Sequence, residues 1–80
     1  FLLPGGGAMY LVDALGNHKD LNFVAMHHEQ SVSIACESYG RIKNSFGVGV
    51  VTTGPGATNA ITGVVGAWIE SIPMMIISGQ

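Results

Sequence analysis

The sequence predicts an α/β fold, a three-layer α/β/α arrangement built around a parallel sheet. Three observations carry that expectation. Four short apolar runs alternate with three stretches of helical periodicity along the 80 residues. The runs are apolar almost throughout rather than at every second residue, which is the pattern of strands covered on both faces. Glycine-containing turns follow the first and third runs, where a strand would hand over to a helix. Crossovers between parallel strands are right-handed, and such sheets bind ligands in their strand-to-helix loops.

Each element has its own signal. Phe1-Leu2-Leu3 is a first strand that ends at the turn Pro4-Gly5-Gly6-Gly7. Ala8 to Leu15 reads as a short helix closed by Gly16-Asn17, because both residue types tolerate the left-handed cap conformation. Asn22 to Met26 is a second strand. Val32, Ala35, Cys36, Tyr39 and Ile42 then recur at the spacing of one helix face. Gly47 to Thr53 is rich in β-branched residues and reads as a buried strand. Gly54-Pro55-Gly56 turns the chain into a third helix, Ala57 to Glu70, and Pro73 to Ser78 is a fourth strand. In the third helix Ile61, Val64, Val65 and Trp68 share an apolar face, while Asn59, Gly63, Gly66 and Glu70 follow a 4-3-4 spacing. A helix with no charge before its last turn is expected to be buried all round, by internal packing or at a subunit interface.

Composition sharpens the choice. Only 10% of residues are charged, against roughly 25% in an average domain, while 48% are hydrophobic and 12 are glycine. Between Asn44 and Gln80 the sole charged residue is Glu70. A chain of this size buries only about 60% of its surface on folding. So little polarity predicts either a piece of something larger or a chain hidden in an assembly, and favours the interface reading of the third helix. The lack of an initiating Met points to a natural start upstream. A net charge of −2 with three scattered cations leaves no basic stripe, which excludes nucleic-acid binding. Gly54, Pro55, Gly56 and Asn59 interrupt the uncharged stretch 44–69, which excludes a membrane helix. A single cysteine and no signal peptide fit a reducing, cytoplasmic compartment.

Three loops lie where a parallel sheet would bind a ligand: Pro4–Gly7, His27–Gln30 and Gly54–Asn59. Gly54-x-Gly56-x-x-Asn59 approaches the dinucleotide fingerprint, but Asn59 replaces its last small residue and no acidic residue follows at the required distance. Pro55 also removes an N–H from the loop, which weakens it as a phosphate cradle. His27-His28-Glu29 lacks the second histidine of a zincin helix, since Val32 stands there, and no metal ligand is assigned. Glu29 has two readings. It can be an ordinary acidic residue in a helix's first turn, or a carboxyl at an apolar cleft, with a raised pKa suited to proton transfer. Cys36 falls on the buried helix face and reads as a small core residue.

LPGGG, HHEQ and TTGPGATNAITGVVGAWIESIPMMIISGQ together resemble the amino-terminal pyrimidine-binding domain of thiamine diphosphate enzymes, nearest the acetolactate synthase and pyruvate oxidase branch. The resemblance covers residues 1–80. It implies that Glu29 is catalytic, hydrogen-bonding N1′ of the cofactor's aminopyrimidine so that the 4′-nitrogen can remove the thiazolium C2 proton. It places Pro55 and Asn59 against the pyrimidine ring, and Pro4 and Gly5 at the turn near the reacting centre. It further implies a 2-keto acid substrate, decarboxylated and transferred to a second carbonyl, and a homodimer or tetramer assembled through the Ala57–Glu70 helix. The diphosphate and Mg²⁺ belong to a GDG…N domain with no match in this chain. The isolated chain is therefore expected to be inactive and to bind thiamine diphosphate poorly. The triple glycine after Pro4 leaves room for a related carboligase acting on another substrate, and a non-catalytic interaction module would keep the same fold.

Overall fold

The computed structural model describes all residues, 1–80. The chain is α/β, with a parallel sheet and three helices. After a 3-10 turn at Gly6–Ala8 come α1 (Met9–Asn17), α2 (Glu29–Lys43), β1 (Gly47–Val51), α3 (Pro55–Ile69) and β2 (Met74–Ser78). β1 and β2 pair in parallel, from Gly47 opposite Met74 to Val51 opposite Ser78.

The first two expected strands are shorter than the sequence suggests. Leu2 bridges in parallel to Val50 on one side and to Ala25 on the other, and each pairing is a single bridge. Four backbone bonds make these rungs. The Leu2 N–H donates to Val24 O at 3.0 Å and the Met26 N–H to Leu2 O at 2.8 Å; on the other side the Leu3 N–H donates to Val50 O at 3.1 Å and the Val50 N–H to Phe1 O at 2.9 Å. Continuing toward Met26 would need an N–H from residue 4, and Pro4 has none. The sheet order is thus the Ala25 segment, the Leu2 segment, β1, β2. The strands stay parallel, but the order in which the chain adds them reverses between Leu2 and β1, which is where open α/β sheets place their ligands.

α2 and α3 form the core with the sheet. Val32, Cys36, Val51 and Ala60 are buried together, and Phe1, Leu3, Met26, Met74 and Ile76 pack around them. α2 lies so close to β1 that a Cβ on Gly47 would collide with the Cys36 backbone. The helix opens with the His28 imidazole accepting the Gln30 N–H at 3.0 Å and closes on Asn44 in the left-handed conformation. Its first turn holds Glu29 and its last turn Arg41 and Lys43, charges placed as the helix dipole favours. At the far end of the sheet from the strand-to-helix loops, Arg41 pairs with Glu37 at 2.7 Å and reaches Glu70 at 3.6 Å.

α3 departs from its expected burial. Gly56, Ala60, Gly63 and Ala67 are the residues it buries, while Trp68 is 85% exposed and Ile61 and Val65 are about half exposed. The small side chains face α2 because the helices nearly touch: a Cβ on Gly63 would lie 2.6 Å from the Ser33 Cβ. Ile61, Val65 and Trp68 point outward, so the helix is not buried all round within this chain. α1 is the loosest element and buries none of its residues; the buried Ala8 sits in the turn before it.

Candidate functional site

The site forms where the Leu2 segment, β1 and the start of α2 end at one rim. Glu29, the first residue of α2, meets α3 there: the Asn59 side-chain amide donates to Glu29 Oε2 at 3.1 Å. Glu29 is partly buried, and its own backbone N–H, followed by the Asn59 amide and nearby His28, holds its pKa below the usual carboxylate value. The raised pKa expected from an apolar cleft is thus not found in this chain. Hydrogen-bond donors to the ionised form outweigh desolvation.

The loop after β1 is shaped by three residues. Gly54 adopts φ +59 and ψ −119, a conformation open to glycine, and Pro55 follows as the first residue of α3, where a missing N–H costs nothing. Gly56 brings backbone close to the carboxylate: its Cβ, if it had one, would stand 3.4 Å from Glu29 Oε1. The loop amides turn inward, with the Gly56 N–H on Thr53 O at 3.2 Å and the Thr58 N–H on Gly54 O at 3.0 Å. Amides so occupied agree with the weak phosphate-cradle reading of GxGxxN.

Pro4 and Gly5 sit on the neighbouring loop. They line a hollow of about 460 Å³ together with Gly6, Met9, Val12 and Asp13, and Glu29 does not line it. The structure therefore joins Glu29 and Asn59 directly and puts Pro55 one turn before Asn59 on α3, whereas Pro4 and Gly5 are linked to them through the end of β1. The connecting residue is Thr52, which sequence reasoning missed. Its hydroxyl accepts the Gly7 N–H at 3.1 Å. Its only signal was position, a threonine just after a β-branched run and just before Gly-Pro-Gly, which reads as strand propensity.

Other chemistry-bearing residues are accounted for. Cys36 is fully buried, and burial pushes its thiol pKa up, so it stays a protonated core group. No three His, Cys, Asp or Glu side chains gather where they could share a metal ion. No helix is long and apolar enough to cross a membrane.

Comparison with known proteins fits this geometry. The sequence model of the family described as "Thiamine pyrophosphate enzyme, N-terminal TPP binding domain" matches residues 1–80. The acetolactate synthase large subunit of Lactococcus lactis subsp. lactis is 40% identical over 80 residues, and that of Buchnera aphidicola subsp. Schizaphis graminum is 44% identical. The acetolactate synthase isozyme 3 large subunit of Escherichia coli is 41% identical over the same span. All of this chain is covered in each case, but only 14% of each relative. A match across every residue shows that the chain belongs to the thiamine pyrophosphate enzyme family, in its N-terminal TPP-binding domain.

Proposed function

We propose that residues 1–80 form part of the pyrimidine-binding domain of an enzyme that decarboxylates a 2-keto acid and transfers the resulting acyl unit, as an acetolactate synthase does. The observation that carries this reading is the Glu29 carboxylate held by Asn59 beside a loop whose Gly56 keeps side chains away from it. These residues fit an aminopyrimidine. A carboxylate kept ionised by donors from one side is an acceptor for a protonated ring nitrogen, and the small Gly56 leaves room for a flat ring to approach. When bound, thiamine diphosphate supplies the electron sink for decarboxylation. Glu29 holds the proton at the pyrimidine N1′ and so sets the ring's tautomer. Asn59 orients Glu29, while Pro55 stiffens the loop against the ring. Pro4 and Gly5 form the turn facing the reacting centre.

The diphosphate and Mg²⁺ are held by a domain outside residues 1–80, and the exposed apolar face of α3 joins a second subunit in a dimer or tetramer. The free, buried Cys36 thiol suits a cytoplasmic setting. Glu29→Gln in the complete protein tests the assignment. Turnover is expected to fall by at least about 100-fold, the scale of a lost proton-transfer group, with the circular dichroism spectrum unchanged. Unchanged turnover would refute the role of Glu29. Calorimetry tests the isolated chain: tight, Mg²⁺-dependent binding of thiamine diphosphate to residues 1–80 alone would contradict a site shared with another domain.

A further inference from the structure

We propose that Thr52 is a positioning residue, holding the Pro4–Gly7 loop by its hydroxyl and the Gly54–Asn59 loop by its methyl. It stands just past β1, beside the point where the strand order changes sense. Its Oγ1 accepts the Gly7 N–H at 3.1 Å, and its carbonyl accepts the Ser78 hydroxyl at 3.3 Å. Two glycines are fitted around the same side chain. A Cβ on Gly5 would come within 2.5 Å of Thr52 Cβ, and one on Gly56 within 2.7 Å of Thr52 Cγ2. One residue therefore touches both loops and the end of β2, and Gly56 carries the contact on toward Glu29.

The arrangement separates two jobs on one side chain. The methyl fills the space left by Gly56, and the hydroxyl fixes the register of Gly7. Without the hydroxyl the Pro4–Gly7 loop loses its hydrogen bond to the strand end, while Gly7 stays packed against Thr53 and Gly79. The spacing between the Gly5 turn and Gly56 then depends on Thr52, which lies between them. This inference rests on the thiamine diphosphate reading only for what the opening binds.

The test compares Thr52→Val, which keeps the shape and removes the acceptor, with Thr52→Ser, which keeps the oxygen and removes the methyl, both in the complete protein. Hydrogen exchange followed by mass spectrometry reads the clamp with no cofactor present. In Thr52→Val, exchange in the peptide containing Gly7 is expected to speed up about fivefold to tenfold, the scale of one lost hydrogen bond, and in Thr52→Ser to stay near the parent rate. The thiamine diphosphate concentration giving half-saturation should rise by about the same factor in Thr52→Val, with kcat at saturation changing less. Unaltered exchange in Thr52→Val, or equal changes in both variants, would overturn the clamp. A parent protein that binds no thiamine diphosphate would instead overturn the reading of the site, while the exchange comparison still decides the clamp.

Discussion

Asn59 donates its side-chain amide to Glu29 Oε2 at 3.1 Å, tying the start of α2 to α3 across 30 positions of sequence. The same bond is one of the two main reasons the Glu29 carboxyl titrates low, after its own backbone N–H. A carboxyl whose folded pKa lies below its unfolded value adds stability that is fully present above the unfolded pKa. That stability is lost as pH falls through the folded pKa.

Asn59→Ala should therefore raise the Glu29 pKa toward the ordinary carboxylate value without restoring it fully, since the backbone N–H remains. An NMR titration of the Glu29 side chain reads this directly. The variant should also lose less stability than the parent on acidification below the usual carboxylate range, because it had less to lose. A Glu29 titration identical in parent and variant would show that Asn59 does not act on the carboxylate.

Much of this arrangement is legible in the sequence because it is local. Val32 and Cys36 of the predicted α2 face are buried, and Gly54-Pro55-Gly56 fixes the start of α3 within two residues. Tyr39 and Ile42 of that face, however, are 42% and 81% exposed, while Ser33 and Gly40 are buried instead. What escaped depends on partners far along the chain. Periodicity displays two faces of α3 and cannot say which one meets α2, so the row of small residues proved to be inside and Trp68 outside. Pro4 cut the first strand short by lacking a donor, a consequence visible only once Met26 is known to lie opposite. The Glu29 pKa went down because its donors include Asn59, 30 positions away, and Thr52 hid as an ordinary strand-end threonine.

Gly63→Ala tests the helix contact. The added Cβ would land 2.6 Å from Ser33 Cβ, with both helices fixed by the sheet, so the overpacking should cost about 1–3 kcal/mol. Ser33→Gly removes the colliding group, and the double variant should recover part of the loss. Urea unfolding of the four proteins in the cycle measures the coupling, which is expected at about 0.5–3 kcal/mol for residues in contact. Additive losses would mean that the backbones part easily.

Gly54→Ala separates conformation from contact. Nothing lies within 4 Å of where its Cβ would stand, yet the residue holds φ +59 and ψ −119. The variant should lose about 1–3 kcal/mol through backbone strain alone. Replacement by a larger polar residue such as Gln should cost a similar amount, because the space is open. A much larger loss for Gln, read as a drop in Tm, would place an unseen neighbour at this turn.

Trp68 separates the fold of the chain from its assembly. It is 85% exposed, with Ile69 72% exposed and Ile61 52% exposed on the same helix, and it borders a hollow shared with Val64, Ala67 and Ile72. Large aromatic groups left outside a single chain are the usual anchors of protein contacts. Trp68→Glu should leave the stability of the isolated chain within about 0.5 kcal/mol, since no packing is lost. In the complete protein the same change buries a charge in the proposed subunit contact and should weaken association by about 30-fold or more. Sedimentation velocity over a range of concentrations distinguishes the outcomes. An assembly that holds together as well as the parent would move the subunit contact away from α3.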